Sequence, residues 1–168
     1  MNRIEACQKL HAVALAELGV HETPGPAATA RIMEYERHTD RGYTGSDEEA
    51  WCAKFANFVV DTAQIPVTLE MTQSAGGIYS FVKNGLIVGT HHANARSFLT
   101  WGVPLDAPVL GCIVIMRRGS STTQGHVTFC DHPDISNGVI RCLGGNQGDA
   151  VKVSRFPVEN VIGYRSPV

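Results

Sequence analysis

A cysteine, a histidine and an asparagine are placed along the chain in a way that favours thiol-based catalysis. Cys52 lies at the start of a segment with helical apolar periodicity, His126 follows a glycine at the start of a strand-like run, and Asn146 lies in a Gly-Gly-Asn-Gln loop. A thiol nucleophile needs a nearby base and a third group that orients the base. The sequence therefore predicts Cys52 as nucleophile, His126 as base and Asn146 as orienting residue.

Each of these residues also has a purely structural interpretation. Buried cysteines are common packing residues, histidines at strand starts are mostly surface residues, and asparagine is favoured in turns. Gln147 and Asp149 are further candidates for the orienting role, and Trp51 and Gln147 are candidate contacts for a substrate. The combination favours catalysis more than any single residue does.

The helix that carries Cys52 is predicted to extend from about Glu48 to Gln64. Ser46 and Glu49 form a capping-box pattern just before it. Because unpaired amides and the helix dipole lower a thiol pKa at a helix N-terminus, this position suits a reactive cysteine.

Other helices are predicted on both sides of this one. Asn2 and Glu5 resemble a capping box, and Gly19 is a plausible stop for the first helix. The pattern predicts a second helix at Ala27–Arg37. It also predicts two short helices, at Ile78–Lys83 and Ala93–Trp101, with an Asn84-Gly85 turn between them.

The periodicity changes to that of strands after residue 111. Five strands are predicted, at Cys112–Arg117, His126–Cys130, Val139–Leu143, Ala150–Arg155 and Val161–Tyr164. Helices followed by strands indicate an α+β fold, with N-terminal helices packed on a C-terminal antiparallel sheet of about five strands. Alternation puts His126, Thr128 and Cys130 on one face of that sheet.

The bulk composition narrows the classes of protein. The chain has 168 residues, 43% of them hydrophobic and 18% charged, which fits one globular domain spanning residues 1–168. A net charge of −2 argues against a nucleic-acid partner bound by bulk electrostatics. The first amphipathic segment does not resemble a signal peptide, and no apolar run predicts insertion into a membrane. We expect a monomer that is synthesised in the cytoplasm.

The cysteines and histidines do not predict a metal or another cofactor. The five cysteines form no CxxC pair, which argues against a zinc site or a disulfide framework. His91 and His92 are adjacent and so diverge, which favours a solvated loop over a metal site.

Several motifs together resemble the CHAP-type (cysteine, histidine-dependent amidohydrolase/peptidase) branch of the NlpC/P60-like papain superfamily, especially small single-domain members from phages, prophages and bacterial genomes. They cover nearly the whole chain in the family's order. The motifs are Leu18-Gly19-Val20 with Glu22, Pro24, Gly25 and Pro26; Trp51-Cys52-Ala53 with Phe55 and Asn57; Ala95-Arg96-Ser97 with Trp101-Gly102; Gly125-His126-Val127; Leu143-Gly144-Gly145-Asn146-Gln147; and Gly163-Tyr164-Arg165.

The resemblance implies a papain-like fold and a peptidoglycan substrate. Cys52, His126 and Asn146 would be the nucleophile, base and orienting residue of an amidase that cuts between sugar and peptide, or of an endopeptidase that cuts within the stem peptide or cross-bridge. The protein would act in the periplasm or on the cell wall, either as a phage endolysin or as a secreted antibacterial effector. An effector would have an immunity protein as partner.

Two departures from the family pattern concern the surroundings of the site. Gly111-Cys112 stands where the family usually has Gly-Asp, and the stretch from Val67 to His92 is longer than expected, so that it could line a groove or bind a partner. Two other functions remain open: a non-catalytic wall-binding module, and a cytosolic cysteine hydrolase of small amides. The second would need a deep enclosed pocket.

Overall fold

Helices occupy the first third of the chain and antiparallel strands most of the rest. A computed structural model describes residues 1–25, 28–40, 47, 49–67 and 81–168. The helices are α1 (Arg3–Ala16), α2 (Ala30–Glu36), α3 (Cys52–Ala63) and two short 3₁₀ helices at Ala95–Thr100 and Val158–Asn160. Within the described ranges, none is both long enough and apolar enough to cross a bilayer.

The strands form two antiparallel sheets, which confirms the predicted α+β class. The strands are β1 (Ile65–Pro66), β2 (Val82–Lys83), β3 (Leu86–Ile87), β4 (Val103–Leu105), β5 (Ile113–Arg117), β6 (Gly125–Ser136), β7 (Val139–Gly144), β8 (Lys152–Pro157) and β9 (Val161–Ser166). The large sheet has the order β4-β9-β5-β6-β7-β8, and the small one β1-β3-β2.

The large sheet has six strands where about five were predicted. All five predicted strands are present, with bounds shifted by a few residues. The additional strand, β4, pairs with β9 through only three residues, one of them Pro104. So short a segment with a central proline lacks the alternation that identifies a strand in a sequence.

The prediction of a helix at Ile78–Lys83 is wrong where the structure describes it. Val82 and Lys83 form β2 and pair with Ile87 and Leu86, while residues 78–80 lie outside the described part. The predicted Asn84-Gly85 turn joins the two strands, and both residues have positive φ, 53° and 75°. Such a turn favours a tight hairpin over a helix break. Residues 68–80, half of the unexpectedly long stretch, also lie outside the described part.

The other predicted helices are present but mostly shorter. The capping box of Asn2 and Glu5 is confirmed by hydrogen bonds in both directions. The second predicted helix is reduced to α2, and the helix predicted at Ala93–Trp101 is a 3₁₀ helix. Helix α3 begins at Cys52 and not at about Glu48 as predicted, and residues 49–51 are not helical. Ser46 of the predicted capping box lies outside the described residues.

Two apolar clusters lie on opposite faces of the large sheet. The larger one joins the helices to alternate residues of β5 and β6, namely Ile113, Ile115, Val127 and Phe129. The smaller one contains the intervening residues Val114, Met116 and Cys130. This alternation confirms the predicted faces of β6. Helix α3 is buried along ten of its twelve residues and is tied to α2 by an ion pair between Lys54 and Glu36, both of them buried.

Candidate active site

Cys52 is the first residue of α3 and faces an open cleft. Its side chain is only 3% exposed, yet it lines a cavity of about 690 Å³. The cavity wall also includes residues of the 91–97 and 122–125 segments. As the first helical residue, Cys52 has an amide N–H without an acceptor one turn earlier in the helix. The thiol therefore lies beside a backbone amide that, as the first of the helix, has no acceptor within the helix itself.

The structure brings Cys52 and His126 together, as predicted. The His126 imidazole lies beside the Cys52 thiol, close enough for hydrogen bonding and charge interaction between them to affect the pKa of both groups. Its Nε2 lies 3.1 Å from Oε1 of Gln147, which leaves Nδ1 for the sulfur. His126 is itself 9% exposed, so the contact is shielded from bulk water. The thiol and the imidazole are therefore already side by side in the folded protein.

The backbone N–H of Val127 in β6 is a second group that acts on the Cys52 sulfur. The backbone N–H and C=O of Cys130 point towards β5, so by alternation the N–H of Val127 points to the β7 side. Strand β7 ends at Gly144, one residue before it would reach Val127. The Val127 N–H therefore has no partner in β7, and its interaction with Cys52 lowers the pKa of the thiol.

These contacts favour a thiolate and an imidazolium. Burial by itself raises the pKa of Cys52, but the hydrogen bond and charge of His126, the Val127 amide and the positive charge of Arg118 outweigh it, and the net pKa is lowered. Burial likewise opposes charge on His126, but its contacts with Cys52 and Gln147 raise the net pKa of the imidazole. Both shifts favour the charged form of the pair, and the thiolate is the form of cysteine that acts as a nucleophile.

The other cysteines contrast with Cys52. Burial raises the pKa of Cys7 to about 12. A hydrogen bond with Cys112 together with burial raises the pKa of Cys130, and burial raises that of Cys142. All four remaining cysteines are fully buried in the smaller apolar cluster. They are packing residues, and Cys52 is the cysteine with chemical character.

Gln147, and not Asn146, occupies the orienting position. The Gln147 side-chain NH₂ donates to the carbonyl oxygens of Lys152 (2.6 Å) and Cys142 (3.3 Å). Because the nitrogen is fixed in this way, Oε1 faces His126 and accepts its Nε2–H. The Thr128 hydroxyl lies 2.9 Å from the same oxygen. Gln147 therefore holds the imidazole in the orientation that presents Nδ1 to Cys52.

The backbone conformation of Asn146 directs the loop so that the Gln147 side chain reaches His126. Its φ of 54° is left-handed, a conformation that asparagine tolerates, and it follows directly after the end of β7 and Gly145. Its half-buried side chain makes no hydrogen bond with any described residue, and it lines a second cleft beside His126. The contact with His126 that was predicted for Asn146 is thus made by its neighbour Gln147. The other candidate, Asp149, is exposed.

Trp51 was predicted to contact substrate, but the structure places it in the core. Its side chain is fully buried, and its Nε1 donates to Oε1 of Glu22 at 2.6 Å. A Cβ added at Gly145 would lie 2.5 Å from the Trp51 ring and 2.7 Å from Phe55. Close packing of the Gly145 backbone on these rings fixes the loop that carries Gln147. Gln147 is 5% exposed and lines the cleft beside His126, so its predicted substrate contact stays a prediction.

Asn57 positions one wall of the cleft, a role that the sequence reasoning did not assign. Its Oδ1 accepts the His91 N–H at 2.8 Å, and its NH₂ group donates to the His92 carbonyl at 3.0 Å. The side chain is fully buried and ties the segment carrying His91 and His92 to helix α3. A polar residue within an otherwise apolar helix was the available signal, since buried amides are normally hydrogen-bonded.

Arg96 holds the segment before His126, another part of the wall of the Cys52 cleft, in place. Its guanidinium donates to the carbonyl oxygens of Gln124 (2.9 Å) and Ser121 (2.7 Å). A Cβ at Gly125 would meet the Met116 carbonyl oxygen at 2.8 Å and the Arg96 side chain at 3.2 Å. Glycine before His126 therefore allows this loop to lie close to the strand start.

Three other residues that the sequence analysis considered are Cys112, His91 and His92. Cys112, which replaces the family's aspartate, is buried in the smaller apolar cluster and lines neither cleft. His91 Nε2 lies 3.3 Å from Oδ2 of Asp61, and His92 Nδ1 lies 3.7 Å from Oδ2 of Asp40. No group of three or more potential metal ligands occurs within the described ranges.

Comparison with protein-family models, with curated proteins and with solved structures finds no significant match to this chain.

The thiolate can be tested directly by alkylation. We expect the rate of Cys52 alkylation by iodoacetamide to reach half its maximum at a lower pH than that of free cysteine, because His126 lowers the thiol pKa. The measurement is the rate of modification of the Cys52 peptide by mass spectrometry from pH 5 to 10. His126→Ala should move the midpoint to higher pH, and an unchanged midpoint would contradict the ion pair.

Proposed function

We propose that the protein is a cysteine amidase or endopeptidase that hydrolyses an amide bond in peptidoglycan. The observation that carries this proposal is the contact of a helix-terminal thiol with an imidazole whose far nitrogen is held by Gln147. A nucleophile, base and orienting group in this order are the parts that acyl transfer through a thiol requires. The substrate class comes from the resemblance of the motifs to CHAP-type enzymes.

The site residues can carry out both halves of the reaction. The Cys52 thiolate attacks the amide carbonyl carbon, and the Cys52 N–H donates to the oxyanion that forms. The imidazolium of His126 then protonates the leaving nitrogen as the C–N bond breaks, leaving a thioester and a neutral imidazole. His126 next removes a proton from water, which attacks the thioester; the C–S bond breaks, the carboxylic acid is released, and the Cys52 thiolate and the His126 imidazolium are regenerated.

The shape of the site favours an extended substrate. Cys52 lines the cleft of about 690 Å³, and His126 lines a second cleft of about 430 Å³. Both are open clefts, and Arg118 borders both. A polymer could therefore lie across Cys52 and His126, with one part in each cleft. A hydrolase of small amides would be served better by one enclosed pocket.

The placement of the site also supports a papain-like, NlpC/P60-type fold. The thiol lies at the start of a buried helix, and the histidine starts a strand of the antiparallel sheet against which that helix packs. The complete set of thiol, imidazole and amide disfavours the non-catalytic wall-binding module. Endolysin and antibacterial effector remain the two proposed biological settings, with an immunity protein as partner in the second.

The experiment is to incubate the purified protein with peptidoglycan and to identify the soluble products by mass spectrometry. We expect fragments that have gained one water at an amide bond, and their masses would distinguish amidase from endopeptidase activity. Protein alkylated at Cys52 is the control and should release no fragments. Peptidoglycan that retains all its amide bonds after treatment with unmodified protein would overturn the proposal.

A further inference from the structure

The cleft beside His126 is lined by three cationic side chains. Arg117, Arg118 and Lys152 contribute to its wall, and its described lining residues include no aspartate or glutamate. The cleft adjoins the reacting groups, because His126 and Gln147 form part of the same wall. An uncompensated positive cleft at this position attracts an anionic part of the substrate.

The cationic groups are available for a ligand. Within the described part of the chain, the side chains of Arg118 and Lys152 form neither a hydrogen bond nor an ion pair with a carboxylate. The Arg117 side chain donates to the neutral side-chain oxygen of Asn160 at 3.1 Å. Arg118 is exposed, and its charge acts on both Cys52 and His126. A guanidinium in this position can bind a carboxylate through two parallel hydrogen bonds.

The cleft beside Cys52 differs in charge, although it shares Arg118 with the cleft beside His126. Its wall includes the carboxylate of Asp40, and the guanidinium of its other arginine, Arg96, is occupied by two backbone carbonyl groups. The two clefts are therefore electrostatically unequal, because a carboxylate offsets positive charge on the Cys52 side, whereas further cations add to it on the His126 side.

The chemistry assigns a direction to the substrate. Cys52 keeps the acyl part of the substrate as a thioester, whereas His126 must protonate the nitrogen of the part that leaves. The leaving part therefore lies on the His126 side, next to Arg118 and Lys152.

We infer that this cleft binds a free carboxylate on the residue that supplies the amine of the scissile amide, with Arg118 as the main contact and Lys152 as a second cation. The inference rests on the proposed function and specifies the substrate as a peptide with an anionic leaving group. Arg118 is then a specificity-determining residue. Its contact with the carboxylate forms next to the bond that breaks and so orients the amide over the thiolate.

The experiment compares two peptidoglycan fragments that contain the cleaved bond. They are identical except that the residue on the amine side ends in a carboxylate in one and in a carboxamide in the other. We expect wild-type kcat/KM to be about tenfold to a hundredfold higher for the carboxylate, the range of a charge-assisted hydrogen bond at such a site. Arg118→Gln should reduce this ratio to near one, and Lys152→Gln should reduce it partly.

Arg155→Gln is the matched control. Arg155 lies on the same strand as Lys152, is exposed, and is an odd number of residues away, so its side chain points to the opposite face of β8. Its replacement should leave the ratio unchanged. The ratio is the decisive readout, because loss of the Arg118 charge also affects the pKa of Cys52 and so the rate with both substrates.

A binding measurement separates failure of this inference from failure of the proposed function. Both fragments are titrated into Cys52→Ala protein by calorimetry, with and without Arg118→Gln. Equal cleavage and equal binding of the two fragments by protein with Arg118 would overturn the inference. Tighter, Arg118-dependent binding of the carboxylate without cleavage by wild type would support the cleft assignment while refuting the hydrolase.

Discussion

Replacing Cys52 with alanine is expected to lower the rate of amide hydrolysis by at least about 10⁴-fold, the scale seen when a catalytic nucleophile is removed. The reason is that the thioester cannot form and that the remaining groups only bind and polarise the substrate. The measurement is the initial rate of release of new amine ends from peptidoglycan. Thermal unfolding should show that the variant remains folded, because the change removes one sulfur atom at the edge of a cleft.

Cys7→Ala provides the matched comparison for this variant. Cys7 is also a fully buried cysteine, but it lies in the smaller apolar cluster and lines neither cleft. We expect the comparison variant to lose some stability and to retain its rate at a temperature where it is folded. If both variants retained wild-type activity, hydrolysis would not proceed through Cys52. If Cys7→Ala alone were inactive while folded, the assignment of the nucleophile would be wrong.

The sequence predicted the large sheet well because its strands carry clear alternation. Strands β5 and β6 bury one set of side chains with the helices and the other set in the smaller cluster, which is the pattern that a period of two encodes. Strand β4 and the small sheet were missed because their strands have only two or three residues. Their pairing depends on contacts with distant segments, such as β4 with β9, and these contacts leave no local pattern.

The start of α3 shows why helix ends are harder to predict than helices. Glu49 and Ala50 are compatible with a helix by type, and an acidic residue suits a first turn. The structure nevertheless starts the helix at Cys52. The preceding Trp51 cannot cap it, because an indole has no hydrogen-bond acceptor; its ring lies in the core, with Nε1 donating to Glu22. A tertiary contact of one indole thus overrides the local pattern and places the thiol at the first helical position.

The sequence predicted the thiol and imidazole, whereas it misplaced the orienting amide by one residue. Cys52 and His126 could be found because helix starts and glycine-preceded strands have local signals. Asn146 and Gln147 are adjacent amides in one loop, and only the backbone direction decides which one reaches His126. That direction depends on the left-handed φ of Asn146 and on the packing of Gly145 against Trp51, neither of which has a local signature.

Sequence patterns also did not identify the residues that are proposed to face a substrate. Trp51 was a natural candidate because aromatic side chains commonly bind sugars and peptides, yet it is fully buried. Arg118 gave no signal, since it is one of two adjacent arginines at the end of a predicted strand. Its importance comes from lying between two clefts and from having no carboxylate partner in the described part of the chain.

Gln147→Ala is expected to lower kcat by about 10²-fold or more, the cost of misplacing a catalytic group by about 1 Å. The variant loses the acceptor that fixes His126 Nε2–H and the NH₂ group that bonds to Cys142 and Lys152. It should also shift the pH dependence. Because the contact with Gln147 raises the pKa of His126, its removal lowers that pKa, and the alkaline limb of the rate profile should move to lower pH.

Asn146→Gly is the control that separates the two adjacent amides. Glycine keeps the left-handed backbone and removes the side-chain amide, so the loop should still deliver Gln147 to His126. We expect a change in kcat of less than about tenfold and no shift of the alkaline limb. The opposite result, with a large loss for Asn146→Gly and a small one for Gln147→Ala, would return the orienting role to Asn146.

Gln147→Glu tests whether the role of residue 147 is orientation or charge. A carboxylate could still accept a hydrogen bond from His126, but its second oxygen would face the carbonyl oxygens of Cys142 and Lys152, where the glutamine donates. Repulsion there should move the side chain away, so that the added negative charge does not restore activity. Activity near the wild-type level would mean that stabilisation of the imidazolium, and not the fixed direction of the amide, is what the site requires of this residue.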